Sequence, residues 1–448
     1  MKRTYTTKGH DLKLSSLTAE RNLSAFADLD KALAETLGAI KDDTLRETFR
    51  KCFYNTIRTT AFLEEDGSVF LLTGDIPAMW LRDSAAQVMQ YLFFADKCES
   101  VRKFIKGVFR KQLEYILIDP YANAFNREAN GNGHIDDLPV PLPEVWERKF
   151  ELDSLCYPFF LACKYYEKTM DADIFNGNFL KAFDLVMEVF RKEQHHAALS
   201  DYYHDSVYPP KSEKFILHGT PVKDVGLVWS GYRPSDDRCD YGFYLPGNMF
   251  IVSVLCKLEK VFRERCDAAR EKACASLYGE IREAVEKYGI VTRDGKLIYA
   301  LETDGMGNYN MMDDANIPNL ISLPYLEYPF LNEEVYANTR AFTLDKGNPY
   351  YFEGSAISGV GSPHTPTNYV WPLSLIMEAL TSDDADLIRA RVRMLIRSTG
   401  GTGYMHEAVF KDDDTVYTRP WFAWANSLFA YLVLTKFDVL KGMTGEKK

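Results

Sequence analysis

The sequence predicts an all-α fold, a toroid of paired helices decorated by small β-hairpins. Three observations predict it. Apolar residues recur at helical spacing in many segments, most of those segments follow one another in pairs, and only two stretches alternate as strands do.

The paired segments are 24–40 with 44–61, 84–96 with 99–118, 151–169 with 175–193, and 247–263 with 267–288. Weaker patterns cover 316–342 and 371–398, and a final helix spans 421–437. Antiparallel hairpins in this number can close a ring. The strand-like stretches, AFLEEDGSVFLLTGD around residue 66 and GIVTRDGKLIYALETDG around residue 294, both centre on Asp-Gly. That dipeptide accepts the positive φ angles of a tight hairpin turn. No shift in composition marks a linker, so residues 1–448 read as a single domain.

Composition narrows the function. With 46% hydrophobic and 26% charged residues the chain can bury a core and keep a wetted surface. A formal charge of -11 repels phosphate backbones, which excludes nucleic acid as a partner and favours a neutral substrate. The eight cysteines form no CxxC pair and read as reduced, buried thiols. The basic start MKRTYTTKGHDLKLSS leads into no apolar stretch, and no window reaches about 18 uninterrupted apolar residues. The expectation is no membrane partner and a cytoplasmic location, unless an export signal was trimmed. Oligomeric state is not legible.

Long loops rich in Gly, Pro, Asn and Asp cover about 119–150, 200–246, 299–315, 344–370 and 399–420, and loops of that length are usually functional. Aromatic residues make up 14% of the chain, many of them in segments that also carry carboxylates and Gly. Rings offer flat faces to a pyranose while carboxylates and amides grip its hydroxyls.

Three clusters carry the chemistry. GDIPAMWLRDSAAQVMQ supplies Asp75, Trp80, Arg82 and Asp83; the Arg–Asp pair suits a fork on vicinal hydroxyls, and the competing account is that Asp83 caps a helix. GLVWSGYRPSDDRCDYGFYLPGNMF supplies Arg233, Asp236 and Asp237. One acid here suits a proton donor; otherwise the Asp pair caps the helix from about 247 or pairs with Arg233. TGGTGYMHEAVFKDDDTVYTRPWFAWANSLFA sets His406 and Glu407 among glycines and aromatics. Smaller clusters add Asp313 and Asp314, and His364. No metal is implied: the histidines are dispersed, and no calcium-loop spacing occurs. Phosphate-loop, GxSxG and dinucleotide signatures are absent, so no cofactor is implied either.

Taken together and in this order, GDIPAMWLRDS, SGYRPSDD and GTGYMHE followed by TRPWFAWANSLF resemble the α-mannosidases of glycoside hydrolase family 125, from about residue 20 to 437. The resemblance implies an (α/α)6 barrel, metal independence, exo-action on terminal α-1,6-linked mannose of an oligosaccharide or N-glycan, and inversion at the anomeric carbon. It places the general acid in RPSDD, on Asp236 with Asp237 as the alternative, and the general base on Glu407. An inverting pair of this kind stands roughly 6.5–9.5 Å apart with water between. Arg82 and Asp83 fall in the family's WLRDS segment and are expected at the terminal mannose, with Asp313, Asp314 and His364 as helpers. Two other readings compete: a glucoamylase-like hydrolase on the same barrel, and a glycan-binding protein without catalysis.

Overall fold

The computed structural model describes residues 20–22, 24–205 and 218–445. The basic start of the chain and part of the long loop at 200–246 lie outside them. The helices alternate between an outer and an inner ring. The outer ring holds α2 (Asp43–Asn55), α4 (Glu99–Ile118), α6 (Gly177–Gln194), α9 (Ala268–Tyr288), α10 (Glu333–Thr343) and α12 (Ala385–Arg397). The inner ring holds α3 (Leu81–Ala86), α5 (Leu152–Thr169), α8 (Leu245–Glu264), α11 (Pro372–Leu380) and α13 (Ala423–Thr435). A run of turns at 313–328 fills the remaining inner place. α1 (Ala27–Ala39) precedes the rings, and the short α7 (His196–Leu199) and α14 (Phe437–Leu440) follow α6 and α13.

Sequence pattern decides which ring a helix joins. Outer helices bury one stripe; in α4, Val101, Phe104, Ile105, Val108 and Phe109 face inward while Lys103 and Arg110 stay in water. Inner helices are apolar nearly all round. In α13 ten of thirteen residues are buried, from Ala423 to Val433. Inner neighbours then pack in sequence, α3 on α5, α5 on α8, α11 on α13, and α13 back on α3. The Tyr325 ring against Tyr431 and the Tyr244 hydroxyl on Pro318 O bind the 313–328 run into the circle. This is the (α/α)6 barrel.

The predicted elements need four corrections. The segment 84–96 is not one helix: after α3 the chain tightens into a 3₁₀ turn over Met89–Phe94, because Val88 N–H bonds Ala85 O and Tyr91 N–H bonds Val88 O. The span 316–342 is helical only from Glu333, where Asn332 caps Val335 N–H; upstream, Pro318, Pro324 and Pro329 lack the donors a helix needs. The span 371–398 is two helices, the second begun by the Asp384 cap on Asp386 and Leu387. Cys266 is exposed rather than buried, at the turn from α8 to α9.

Both Asp-Gly hairpins form. Strands β1 (Ala61–Leu63) and β2 (Val69–Leu71) flank Asp66-Gly67, and β7 (Ile290–Arg293) and β8 (Lys296–Tyr299) flank Asp294-Gly295, where both turn residues take positive φ. Further short strands tie the long loops to one another and had no signal in the sequence. β3 (Met79–Trp80), β4 (Ala124–Phe125) and β5 (Val145–Glu147) make one three-stranded sheet, and β6 (Phe243–Tyr244), β9 (Glu302–Thr303) and β10 (Tyr309–Asn310) make another. The strands are too short to hold a hydrophobic face; they serve as clasps on the loops. Among the described residues no helix is long and apolar enough to cross a membrane.

Candidate active site

Each candidate side chain lies at the start of an inner helix or in the loop that leads into one. Arg82 and Asp83 occupy the first turn of α3. Arg233, Asp236 and Asp237 lead into α8, Asp313 and Asp314 into the 313–328 run, His364 into α11, and His406 and Glu407 into α13. The starts of α3 and α5 meet at Arg82 and Asp153, 3.1 Å apart, so the inner helices direct their electropositive ends at one place.

The loops are pinned there by backbone. Gly231 and Tyr232 N–H both donate to Phe150 O, which fixes the RPSDD loop against the entry to α5. Asp75 N–H donates to Trp421 O and Ala423 N–H to Thr73 O, which stitches the first cluster to the third. Gly74 is required at that seam: its φ is +134° and a Cβ would stand 2.2 Å from Trp421 O.

On one bank stands Asp236. Arg233 O accepts Asp236 N–H across a tight turn, and the aspartate is held at φ +62°, a region L-residues seldom occupy and one that marks strained functional positions. Its Oδ1 faces Arg82 Nη2 at 3.4 Å and Asn123 Nδ2 at 3.3 Å. Arg82 is 3% exposed and ringed by carboxylates: Nη1 donates to Glu151 at 2.7 Å and Asp153 at 3.1 Å, and Nε faces Asp83 at 3.4 Å without a hydrogen bond. Lys149, also buried, holds Glu147 at 2.8 Å.

This bank places several carboxyls in a dry region. Burial pushes Glu151 well above the usual carboxylate range, against the pull of Arg82. Burial also raises Asp153, to about 6, again with Arg82 opposing. Asp236 goes the other way: burial pushes it up, but Lys149 and Arg82 together bring it below the ordinary value. Lys149 is raised, since Glu147 and Asp236 outweigh the cost of its burial.

On the other bank stands Glu407, 6% exposed. Arg419 Nη1 lies 3.6 Å from it, while Arg419 Nε and Nη2 both reach Asp75 at 2.7 Å. Arg419 too sits at positive φ, +43°. Asp83 lies between the banks; burial raises it, and both Arg82 and Arg419 pull against that rise. Charge therefore alternates across the site, in the order Asp236, Arg82, Asp83, Arg419, Glu407.

The competing capping accounts fall away. The α3 N-cap position is Trp80, and Asp83 makes no cap. The α8 N-cap is Tyr244, and the Asp pair is remote from that position. Arg233 bonds Glu302, and Asp240 at 3.0 Å, rather than pairing with the side chain of Asp236 or Asp237. Asp237 accepts from Ser235 and faces His364 Nδ1 at 3.5 Å; burial raises it, but His364 and Arg233 hold it below the usual range.

The remaining predicted residues divide. Trp80 packs on Trp146 in a small cluster apart from the main core, and its indole N–H has no acceptor among the described residues. Asp314 is tied to Asn316 and Ser362 and lies near Asp237. Asp313 is buried, with Oδ1 on Leu320 N–H, and burial pushes it up to about 8. His406 is turned away from the banks: it is wholly buried, stacked on Tyr417 with ring centroids 3.6 Å apart, and its Nε2 lies 3.2 Å from both Thr402 and Thr399 O. The fork expected from Arg82 is not available in this form either, because four carboxylates already surround its guanidinium.

Among the described residues no three His, Cys, Asp or Glu side chains group as metal ligands do. The acids are instead interleaved with arginine and lysine. Residues 42–434 match the family described as metal-independent alpha-mannosidase (GH125). The chain belongs to that family. This α-mannosidase is 38% identical, with a TM-score of 0.88, to a Streptococcus pneumoniae metal-independent α-mannosidase solved in a non-productive complex with alpha-1,6-mannobiose, over 93% of this chain and 98% of that one. It is 35% identical to the meiotically up-regulated gene 157 protein of Schizosaccharomyces pombe, over 91% of this chain and 85% of the relative. The glucoamylase of Saccharomycopsis fibuligera shares the fold at 10% identity, with a TM-score of 0.58 over 95% of this chain and 99% of that one.

Sequence reasoning missed Asn123, Lys149, Glu151, Asp153 and Arg419. A signal for two of them was present. In WERKFELDS the charges at 147, 149 and 151 recur every second residue, which puts them on one face of the extended chain before α5, and Asp153 follows in the first turn of that helix. Read as the end of a loop and the start of a helix, that alternation was invisible.

Proposed function

We propose that this α-mannosidase removes terminal α-1,6-linked mannose from oligosaccharides by exo-acting, inverting hydrolysis, with Asp236 as general acid and Glu407 as general base. The observation that supports the reading is the alternating row of charges from Asp236 to Glu407, which has the two carboxyls at its ends and Asp83 between them. An inverting enzyme needs that separation, one carboxyl at the glycosidic oxygen and one on the far face of the sugar for water. The strained backbone at Asp236 and at Arg419 fits a pair of groups held for chemistry. Asp83 and Trp80 then border the terminal mannose, and Arg82 acts by placing acids. The α-1,6 linkage rests on the mannobiose bound by the streptococcal relative. Asp237, turned to His364, is the weaker candidate for the acid. The whole span from about 20 to 437 reads as a single catalytic domain.

Proton NMR of an α-1,6-mannobiose digest tests this. The first product signal should be β-mannose, followed by slow mutarotation. Initial α-mannose would replace inversion with retention and require a nucleophile at one of the two positions.

A further inference from the structure

Asp236 poses a difficulty that the rest of the cluster resolves. A general acid must carry a proton, yet Lys149 and Arg82 favour its ionised form. The neighbouring Glu151 is 1% exposed and stands in the entry to α5. Its Oε2 accepts from Arg82 at 2.7 Å and from Ser154 at 3.1 Å. Its Oε1 is buried, and among the described residues no N–H or hydroxyl donor reaches it. The two terminal nitrogens of one guanidinium nevertheless hold Glu151 and Asp236 side by side, Arg82 Nη1 at 2.7 Å from Glu151 and Nη2 at 3.4 Å from Asp236. Two carboxylates cannot bond; a carboxylic acid and a carboxylate can.

Charge counting requires the same proton. Asp83, Glu147, Glu151, Asp153 and Asp236 crowd around Arg82 and Lys149, with His134 3.4 Å from Glu147 and Arg419, which also serves Asp75 and Glu407, reaching in at Asp83. Even with Arg419 counted, the acids outnumber the fixed cations, and a buried cluster does not sustain all of them as anions. His364 also acts on Asp236 by its charge, while its Nδ1 lies 3.5 Å from Asp237. Tyr232 and Cys239, from the RPSDD loop, complete the surroundings as neutral groups, their ionisation suppressed by burial.

The geometry points to Glu151 as a positioning residue that shares one proton with Asp236 and so keeps the catalytic acid loaded. This rests on the reading of Asp236 as the acid. The step balances simply. As the bond from C1 to the glycosidic oxygen breaks, the O–H bond of the pair breaks too and its proton goes to the leaving oxygen. Water adds to C1 and gives its proton to Glu407. The pair, now doubly ionised against Arg82 and Lys149, regains a proton from solvent as Glu407 releases one. Of two interacting carboxyls, one takes up its proton at an elevated pH, and that value belongs to the pair.

The test is kcat/KM against pH for the wild type, Glu151→Gln and Asp236→Asn, on α-1,6-mannobiose and on α-mannosyl fluoride, whose leaving group needs no proton. Removing the Glu151 charge should move the alkaline limb on mannobiose toward acid by at least about one pH unit and lower the rate at pH 7 roughly tenfold. Turnover of the fluoride should change less than about twofold. An unmoved limb with both substrates slowed alike means Glu151 only props Arg82, and the inference fails. Full mannobiose activity in Asp236→Asn means the acid itself is misplaced, an outcome readable without Glu151. Should Glu151→Gln not fold, infrared spectra of the wild type with ¹³C-glutamate decide. A protonated carboxyl band that shifts with the label at neutral pH supports the pair, and no label-sensitive band overturns it.

Discussion

On one bank of the site Asp236 is wedged among Arg82, Asn123, Lys149 and Glu151, all buried; on the other Glu407 meets the single guanidinium of Arg419, which is shared with Asp75. The first bank has more acids than cations and holds a proton. The second sets Glu407 beside one guanidinium, 3.6 Å away. On the proposed assignment, the carboxyl that donates and the carboxyl that accepts need opposite surroundings, and the two regions differ in how many acids share each arginine.

The largest expected effect breaks that comparison directly. Asp236→Asn and Glu407→Gln should each lower kcat on α-1,6-mannobiose by about 10²–10⁴-fold. Steady-state assays on α-mannosyl fluoride should restore much of the loss in Asp236→Asn and little in Glu407→Gln. If the fluoride rescues both equally, the banks do not divide acid from base.

A smaller effect sharpens the second bank. Arg419→Met frees Glu407 and Asp75 together, and a carboxylate displaced by about 1 Å can cost roughly 10²-fold. The expected loss is in kcat, with KM changing about threefold or less, because the arginine places the base and not the sugar. A rise in KM at unchanged kcat would make Arg419 a substrate ligand instead.

The smallest effect lies off both banks. Asp313, raised to about 8 by burial, keeps its proton when folded well above the pH at which the unfolded chain releases it. Stability therefore falls as pH rises from about 4 toward 8. Asp313→Asn removes that fall, so its melting temperature should exceed the wild type's by a few degrees at pH 9 and by much less at pH 5. Equal curves in differential scanning calorimetry would show Asp313 ionising freely. Activity at pH 6 should be unchanged, in contrast to every change on the banks.

The site was half legible before the fold was known. Asp236, Asp83 and Glu407 announce themselves as acids among Gly, Pro and aromatic residues, where a solvated face explains them poorly. Glu151 and Lys149 do not, because ERKFELDS looks like the charged entry to any helix. His406 misled in the opposite sense: adjacency to Glu407 suggested a shared role, but successive residues in extended chain point to opposite sides, and the imidazole stacks on Tyr417 instead. Arg82 misled differently, since a guanidinium beside an aspartate reads as a ligand fork until its other carboxylates are counted.

By itself the sequence determined the paired helices, both Asp-Gly hairpins and the three motifs that mark the family, because periodicity and turn chemistry are local and are written in neighbouring residues. The difference between inner and outer helices, apolar on all sides or on one, became readable only once the rings were known. Only the tertiary structure decided that residues 82, 151, 153 and 236 share one buried site, and that Arg82 serves carboxyls of its own chain. The physical reason is that proton affinity depends on dielectric and on charges within a few ångströms, and those neighbours come from α3, α5 and the RPSDD loop, brought together by ring closure alone.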